Sequence, residues 1–274
     1  MAGRRGVSAG AALGMAQRSR RRLRRAWRVF ASGSSFALFG VGGLLLGLIA
    51  LPLLYLVPAS RERRRIRARN LIGKAFAFFV GFMRVVGLIE VRVTGVDGLR
   101  LPGVVISPTH PTLIDVLMLL ALAPQLDCVV KHAVRRNPFM AAVVSAAGYI
   151  DNDLNGPALL DRCAEVIHAG GSVLIFPEGT RTAPNGPVRL RRGAAAIALA
   201  AGAPLVPVVI RCTPPALTKG RRWYDLPPDP LQIHIDVHPP WLATAYLARA
   251  PNRALAARQM TRDMEHFYRR ELQG

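Results

Sequence analysis

Residues 36 to 57, from Phe36 to Val57, form an uncharged apolar run of 22 residues, and a helix of that length can cross a hydrocarbon core of about 30 Å. Pro52 is expected to kink it near one end. Arginine brackets the run: nine arginines and no acidic residue fall in residues 1 to 30, and six more lie between Arg61 and Arg69, opposed only by Glu62. A second run, Leu71 to Ile89, is nearly as apolar but carries Lys74 and Arg84. At about 100° per residue those two sit roughly 80° apart, leaving a broad apolar face and one basic stripe suited to a membrane interface. If both runs crossed, the basic Arg61–Arg69 loop would lie outside, against the preference of short basic loops for the cytoplasm. A shallow re-entrant helical hairpin over 36–89, preceded by a basic, flexible tail over 1–35, avoids that conflict. A single crossing with a basic tail is the alternative. Ser19-Arg20-Arg21-Arg22-Leu23 and Val57-Pro58-Ala59 faintly resemble a twin-arginine signal and its cleavage site, but the run is too long and the arginine block behind it resists export.

A formal charge of +21 draws anions of any kind to the surface. Because the arginine clusters lack interleaved aromatics and abut lipid-like sequence, they point to anionic membrane lipids rather than to nucleic acid. Cys128, Cys163 and Cys212 are widely spaced and odd in number, which suggests neither a disulfide framework nor a zinc site and fits a reducing compartment.

From Ile89 onward, β-rich runs alternate with helical segments. Strands are predicted at 90–94, 103–107, 128–131, 172–176, 205–211 and 231–237, and helices at 112–122, 138–147, 157–169 and 192–201. This alternation predicts an α/β domain over 90–245, its sheet covered by helices. An amphipathic C-terminal helix is expected within 246–274.

Chemistry gathers at two strand ends. Thr109 and His110 follow the apolar Val104-Val105-Ile106, and Pro111 suits the first turn of a helix. Asp115 comes one turn later, where its carboxylate can fix the imidazole tautomer and stabilise an imidazolium. No serine or cysteine is obviously placed as a nucleophile, so the histidine would deprotonate a substrate hydroxyl directly. Helix capping and packing are the alternative role for such a pair. The second segment is Phe176-Pro177-Glu178-Gly179-Thr180-Arg181-Thr182, after Val173-Leu174-Ile175. There Arg181 offers a planar fork for phosphate or carboxylate, Gly179 permits close backbone approach, and Glu178 can orient a hydroxyl or Arg181. A surface turn with a local ion pair is the plainer reading.

Together these segments closely resemble the lysophospholipid acyltransferase family, which includes the 1-acyl-glycerol-3-phosphate acyltransferases, over about residues 70 to 240. His110 and Asp115 match the family's His-x4-Asp motif. Phe176 to Arg181 match Phe-Pro-Glu-Gly-Thr-Arg at every position. Arg191-Arg192-Gly193-Ala194 and Val206-Pro207-Val208 supply the two later elements. The resemblance implies a glycerolipid acyltransferase-like α/β fold behind a two-helix membrane module, at the cytoplasmic face of a bacterial inner membrane. It also implies acyl transfer from a thioester, acyl-CoA or acyl carrier protein, to a hydroxyl of a lysophospholipid, with no cofactor beyond that co-substrate. His110 would be the general base and Asp115 its partner. Glu178, Gly179, Thr180, Arg181, Lys131 and Arg192 would bind substrate.

The chain departs from the family pattern in places. Thr109 and Thr112 replace the usual Asn and Ser around the histidine, and Lys131-His132-Ala133-Val134 lacks the Glu of the Lys-x-Glu-Leu element. Gly148 to Asp153 lacks the arginine of an Asp-Arg pair associated with the acceptor phosphate. With Lys219-Gly220-Arg221-Arg222-Trp223-Tyr224, the His110–Asp115 segment looks similar to the branch found in bacterial aryl-polyene pathways, which would imply another acceptor. No metal is expected: His234 and His238 read as a polar sheet face, Asp151-Asn152-Asp153 as a turn, and His132, His168 and His266 as histidines without partners.

Overall fold

The computed structural model describes residues 5–153, 156–181, 186–218 and 224–273, with side chains from Leu23 onward. Helix α1 (Arg5–Leu45) runs into a π-helical turn (Leu46–Ala50) and the short α2 (Leu51–Leu53). The π turn lies just before Pro52, whose missing N–H and ring would disrupt regular α-helical bonding there. Helix α3 (Arg61–Val85) leads to β1 (Ile89–Thr94), a 3₁₀ turn (Val96–Arg100), β2 (Val105–Pro108), α4 (Asp115–Leu122) and β3 (Asp127–Val130). Next come α5 (His132–Arg135), α6 (Ala141–Ala147), β4 (Ile150–Asp151), α7 (Gly156–His168), β5 (Val173–Leu174) and α8 (Gly193–Ala201). The chain closes with β6 (Leu205–Thr213), β7 (Leu231–Val237), α9 (Ala243–Leu247) and α10 (Arg253–Gln273).

The strands form one sheet in the order β1-β7-β6-β2-β5-β3-β4. Among the described pairs only β6–β7 is antiparallel. Alternate residues of the central strands enter opposite cores, as the two-residue strand period requires. Ile106, Leu174, Val208 and Ile210 pack with α3, α4 and α6, whereas Val105, Val173 and Val209 pack with α7, α8 and α10. The result is a mixed sheet between two helical layers, in agreement with the expected α/β class. The six predicted strands are present, several of them shifted or shortened by a residue or more. Strand β4 escaped notice because two residues are too few for a periodic pattern.

The N-terminal segment differs from its expectation in three ways. Residues 5–35 are helical, because α1 continues through them; they hold no proline and many good helix formers. The stretch expected as an arginine-rich loop is the first part of α3, capped by Ser60, whose hydroxyl accepts from Arg63 N. Finally, α3 is a partner in the domain core, with Ile72, Phe76, Phe79 and Met83 buried. One helical stretch, Leu23–Leu53, is long and apolar enough to cross a membrane, and α3 is not a second among the described residues.

Helix α1 is fastened to the end of α3. Trp27 Nε1 donates to Val86 O at 3.1 Å and Arg28 Nη1 to Gly87 O at 3.0 Å, supplying donors to carbonyls that a helix C-terminus leaves unmatched. Farther along α3, Gly73 lets the helix lie directly on α4 and the loop behind it. A Cβ there would stand 2.6 Å from Pro124 Cβ and 3.2 Å from Leu120 O. Gly73→Ala is therefore expected to destabilise the fold by about 1–3 kcal/mol, the usual cost of overpacking. Chemical denaturation would check this, and an unchanged midpoint would show that the contact relaxes freely.

Candidate active site

Strand register builds the site. The offset of 68 residues that pairs Val105 with Val173 and Ile106 with Leu174 continues past both strand ends and sets Glu178 against His110. Glu178 Oε1 accepts from His110 N at 2.9 Å. On the other side of β2, Thr109 N donates to Val208 O at 3.0 Å. The Thr109 hydroxyl accepts from Ile210 N at 2.7 Å and donates to Ile210 O at 3.1 Å. His110 is thus gripped from both neighbouring strands at the C-terminal end of the sheet, where α/β folds place their ligands.

Helix α4 begins at Asp115 rather than near Pro111, so residues 109–114 form a turn that folds the imidazole back onto the helix start. His110 Nδ1 and Asp115 Oδ2 are 2.9 Å apart, with the carboxylate fully buried and the imidazole 17 % exposed. Thr112 N donates to Asp115 Oδ2 at 2.8 Å, and the Thr112 hydroxyl donates to Oδ1. Threonine at this position therefore fixes the carboxylate that orients the histidine. With Nδ1 bound to Asp115, Nε2 is the imidazole nitrogen left to exchange a proton. The Phe176 ring lies 4.3 Å from the His110 ring, centroid to centroid, and limits how the imidazole can turn.

Burial raises the Asp115 carboxyl above the ordinary aspartate range, and hydrogen bonds from His110 and Thr112 oppose that rise. The protonated form therefore contributes stability fully below the ordinary value of about 3.9. That contribution is lost as pH rises through the higher folded value. The melting temperature of the natural protein, relative to Asp115→Asn, should fall as pH rises through this window. A difference that stayed flat from pH 4 to 8 would contradict the assignment.

A cavity of about 940 Å³ opens beside His110. Phe36, Phe39, Phe76, Leu117 and Tyr149 are among its apolar walls, while Lys131, Thr180, Arg181 and Arg191 bring polar and basic groups to it. A second cavity, of about 730 Å³, also borders His110 and is lined by Thr109, Glu178, Thr213 and Arg269. The imidazole thus adjoins both an oily chamber and a more polar one.

The expected binding residues take different positions. Gly179, Thr180, Arg181 and Lys131 line the large cavity. Arg181 Nη1 donates to Leu217 O at 3.1 Å, which aims the guanidinium. Glu178 is buried and positions the His110 backbone. Arg192 is not among the described residues lining either cavity, whereas Arg191 lines the large one. The residues of the pair are adjacent, and only the turn leading into α8 decides which faces inward. Gly179 has a φ of +68°, and a Cβ there would lie 2.8 Å from Arg191 Nε, so glycine meets both the left-handed backbone and the close approach of that guanidinium. Lys219 to Trp223, which carry part of the aryl-polyene resemblance, lie outside the described residues.

Comparison with known proteins finds acyltransferases similar to this chain in sequence and in fold. Residues 90–211 match the family model described as Acyltransferase. The 1-acyl-sn-glycerol-3-phosphate acyltransferase of Pseudomonas aeruginosa is 30 % identical over 149 residues, 53 % of this chain and 58 % of that protein. Its Bacillus subtilis counterpart is 34 % identical over 109 residues, 38 % of this chain and 54 % of that protein. The chain therefore spans little more than half the length of these relatives. The crystal structure of the 1-acyl-sn-glycerophosphate (LPA) acyltransferase PlsC from Thermotoga maritima superposes with a TM-score of 0.67 at 17 % identity, covering 94 % of this chain and 97 % of that one. That likeness establishes the fold. Over residues 90–211 the chain thus matches the Acyltransferase family model, and it is similar in sequence to 1-acyl-sn-glycerol-3-phosphate acyltransferases and in fold to PlsC.

Proposed function

We propose that the protein is a membrane-associated O-acyltransferase that moves an acyl group from acyl-CoA or acyl carrier protein to the free hydroxyl of a lysophospholipid such as 1-acyl-glycerol-3-phosphate. The observation that carries this reading is the His110–Asp115 pair, 2.9 Å apart, bordering a large apolar cavity edged by Lys131, Arg181 and Arg191. An acyl chain needs the former surroundings and a phosphate the latter.

His110 Nε2 takes the proton of the acceptor hydroxyl as its oxygen attacks the thioester carbonyl. Asp115 stabilises the imidazolium that results. The tetrahedral intermediate collapses to the ester, the carbon–sulfur bond breaks, and the imidazolium returns its proton to the departing thiolate. No acyl-enzyme is needed, because the hydroxyl belongs to the substrate. The exposed apolar side chains of the α1–α2 stretch, among them Phe30, Leu48, Ile49 and Leu53, support a membrane location, which would bring a lipid acceptor to the cavity.

Arg181→Ala should raise the acceptor KM by about ten- to hundredfold, the loss expected for a charge-assisted hydrogen bond, while the thioester KM changes little. Steady-state assays with each substrate varied in turn would measure this. An unchanged acceptor KM would remove Arg181 from headgroup binding. Binding to anionic liposomes without thioester consumption, across a panel of hydroxyl acceptors, would favour a non-catalytic lipid-binding protein instead.

A further inference from the structure

Read along the sequence, His132 has no partner and Asp151-Asn152-Asp153 is a polar turn. The fold brings them together. Strands β3 and β4 are parallel neighbours whose register pairs Val129 with Ile150 and Val130 with Asp151. Asn152 N donates to Val130 O at 2.9 Å, carrying the pairing one step farther. The same offset of 21 residues sets His132 opposite Asp153. His132 Nδ1 lies 3.5 Å from Asp151 Oδ2 and 3.3 Å from Asp153 Oδ2, and the three donor atoms fall within 4.8 Å of one another.

We propose that His132, Asp151 and Asp153 form a binding site for a divalent transition-metal ion of the zinc class. Donors about 2.0–2.1 Å from a tetrahedral ion stand roughly 3.4 Å apart, which is the spacing His132 keeps from both carboxylates. One imidazole nitrogen and two carboxylate oxygens favour zinc, cobalt or nickel over magnesium or calcium, which prefer oxygen alone. Asp151 Oδ1 accepts from Asp153 N at 3.0 Å, which holds the turn in shape and leaves Oδ2 toward the histidine. Three protein donors leave at least one coordination position open to an outside ligand.

The site's location gives it a use. Lys131 and Asn152, immediate sequence neighbours of His132 and of both aspartates, line the large cavity. A bound ion would add positive charge close to that cavity, at a strand end that lacks an arginine in Gly148 to Asp153. It would favour a ligand carrying phosphate or carboxylate. Arg135 Nε lies 3.6 Å from Asp151 Oδ2, so this guanidinium competes with the ion for the same oxygen.

The test uses the full chain in detergent, stripped with chelator and titrated with Co²⁺ under visible absorption, then with Zn²⁺ in competition. One equivalent should bind with d–d bands that Zn²⁺ abolishes. His132→Ala and Asp153→Asn should each weaken binding at least about tenfold, while Arg135→Ala should tighten it. His132 and Asp153 are exposed, and unchanged melting curves would confirm that their variants fold. Absence of stoichiometric binding would overturn the site, as would binding that persists in the His132→Ala/Asp153→Asn double variant. This readout requires no catalysis, so its failure leaves the acyl-transfer reading untouched.

Discussion

Replacing His110 with alanine is expected to lower the rate of acyl transfer by about 10²–10⁴-fold, the range attributable to a positioned general base, with little change in the KM for either substrate. The kinetic pattern matters as much as its size. Loss of kcat alone marks an interaction made in the transition state, whereas a rise in KM alone marks lost binding. The variant should fold normally, because the imidazole is partly exposed and the local architecture rests on hydrogen bonds between the side chains of Thr109 and Glu178 and the backbone of Ile210 and residue 110. Asp115→Asn should lose much of the same rate, since an amide cannot stabilise the imidazolium as a carboxylate does. The double variant should be no worse than His110→Ala alone if the two act as one unit.

Arg69→Ala should destabilise the fold by about 3–5 kcal/mol, the cost of leaving a buried charge without its partner. Arg69 and Asp127 are 3 % and 2 % exposed and meet through two contacts, Nη1 to Oδ2 at 3.0 Å and Nη2 to Oδ1. The guanidinium also donates to Ala147 O at 2.8 Å and Gln125 O at 2.9 Å. One side chain of α3 thus ties β3, the loop before it and the end of α6. Arg69→Met with Asp127→Leu should recover much of the loss, because replacing both members of a buried pair is often close to neutral. Urea denaturation of the two forms would measure the difference. Arg69 was expected among the cluster facing anionic lipid, and its burial removes it from that role.

Much of the domain was legible because strand period and strand-end chemistry are local signals. Val104–Ile106 before His110 and Val173–Ile175 before Glu178 predicted two buried strands ending in reactive residues, and the sheet pairs those strands. What stayed hidden depends on register or on tertiary contact. Nothing in the sequence says that β2 and β5 pair with an offset that turns Glu178 toward the backbone of His110. Nor does it say that Arg191 rather than Arg192 lines the cavity, although the glycine at 179, held at positive φ against a guanidinium, is the trace of that contact. The arginine-rich stretch at 61–69 misled because composition cannot separate a basic loop from a basic helix with one buried arginine. The apolar run at 36–57 overlaps the helical stretch Leu23–Leu53, which is long and apolar enough to cross a membrane. The run at 71–89 is apolar for another reason, as α3 packs on α4.

The most direct test of the central claim follows a radiolabelled acyl thioester incubated with the purified protein and 1-acyl-glycerol-3-phosphate, reading both free thiol and labelled lipid. The account predicts one labelled diacyl product per thiol released, strict dependence on the acceptor, and loss of both signals in His110→Ala. Thiol release that yields free fatty acid at the same rate with or without acceptor would contradict it, as would full ester formation by His110→Ala.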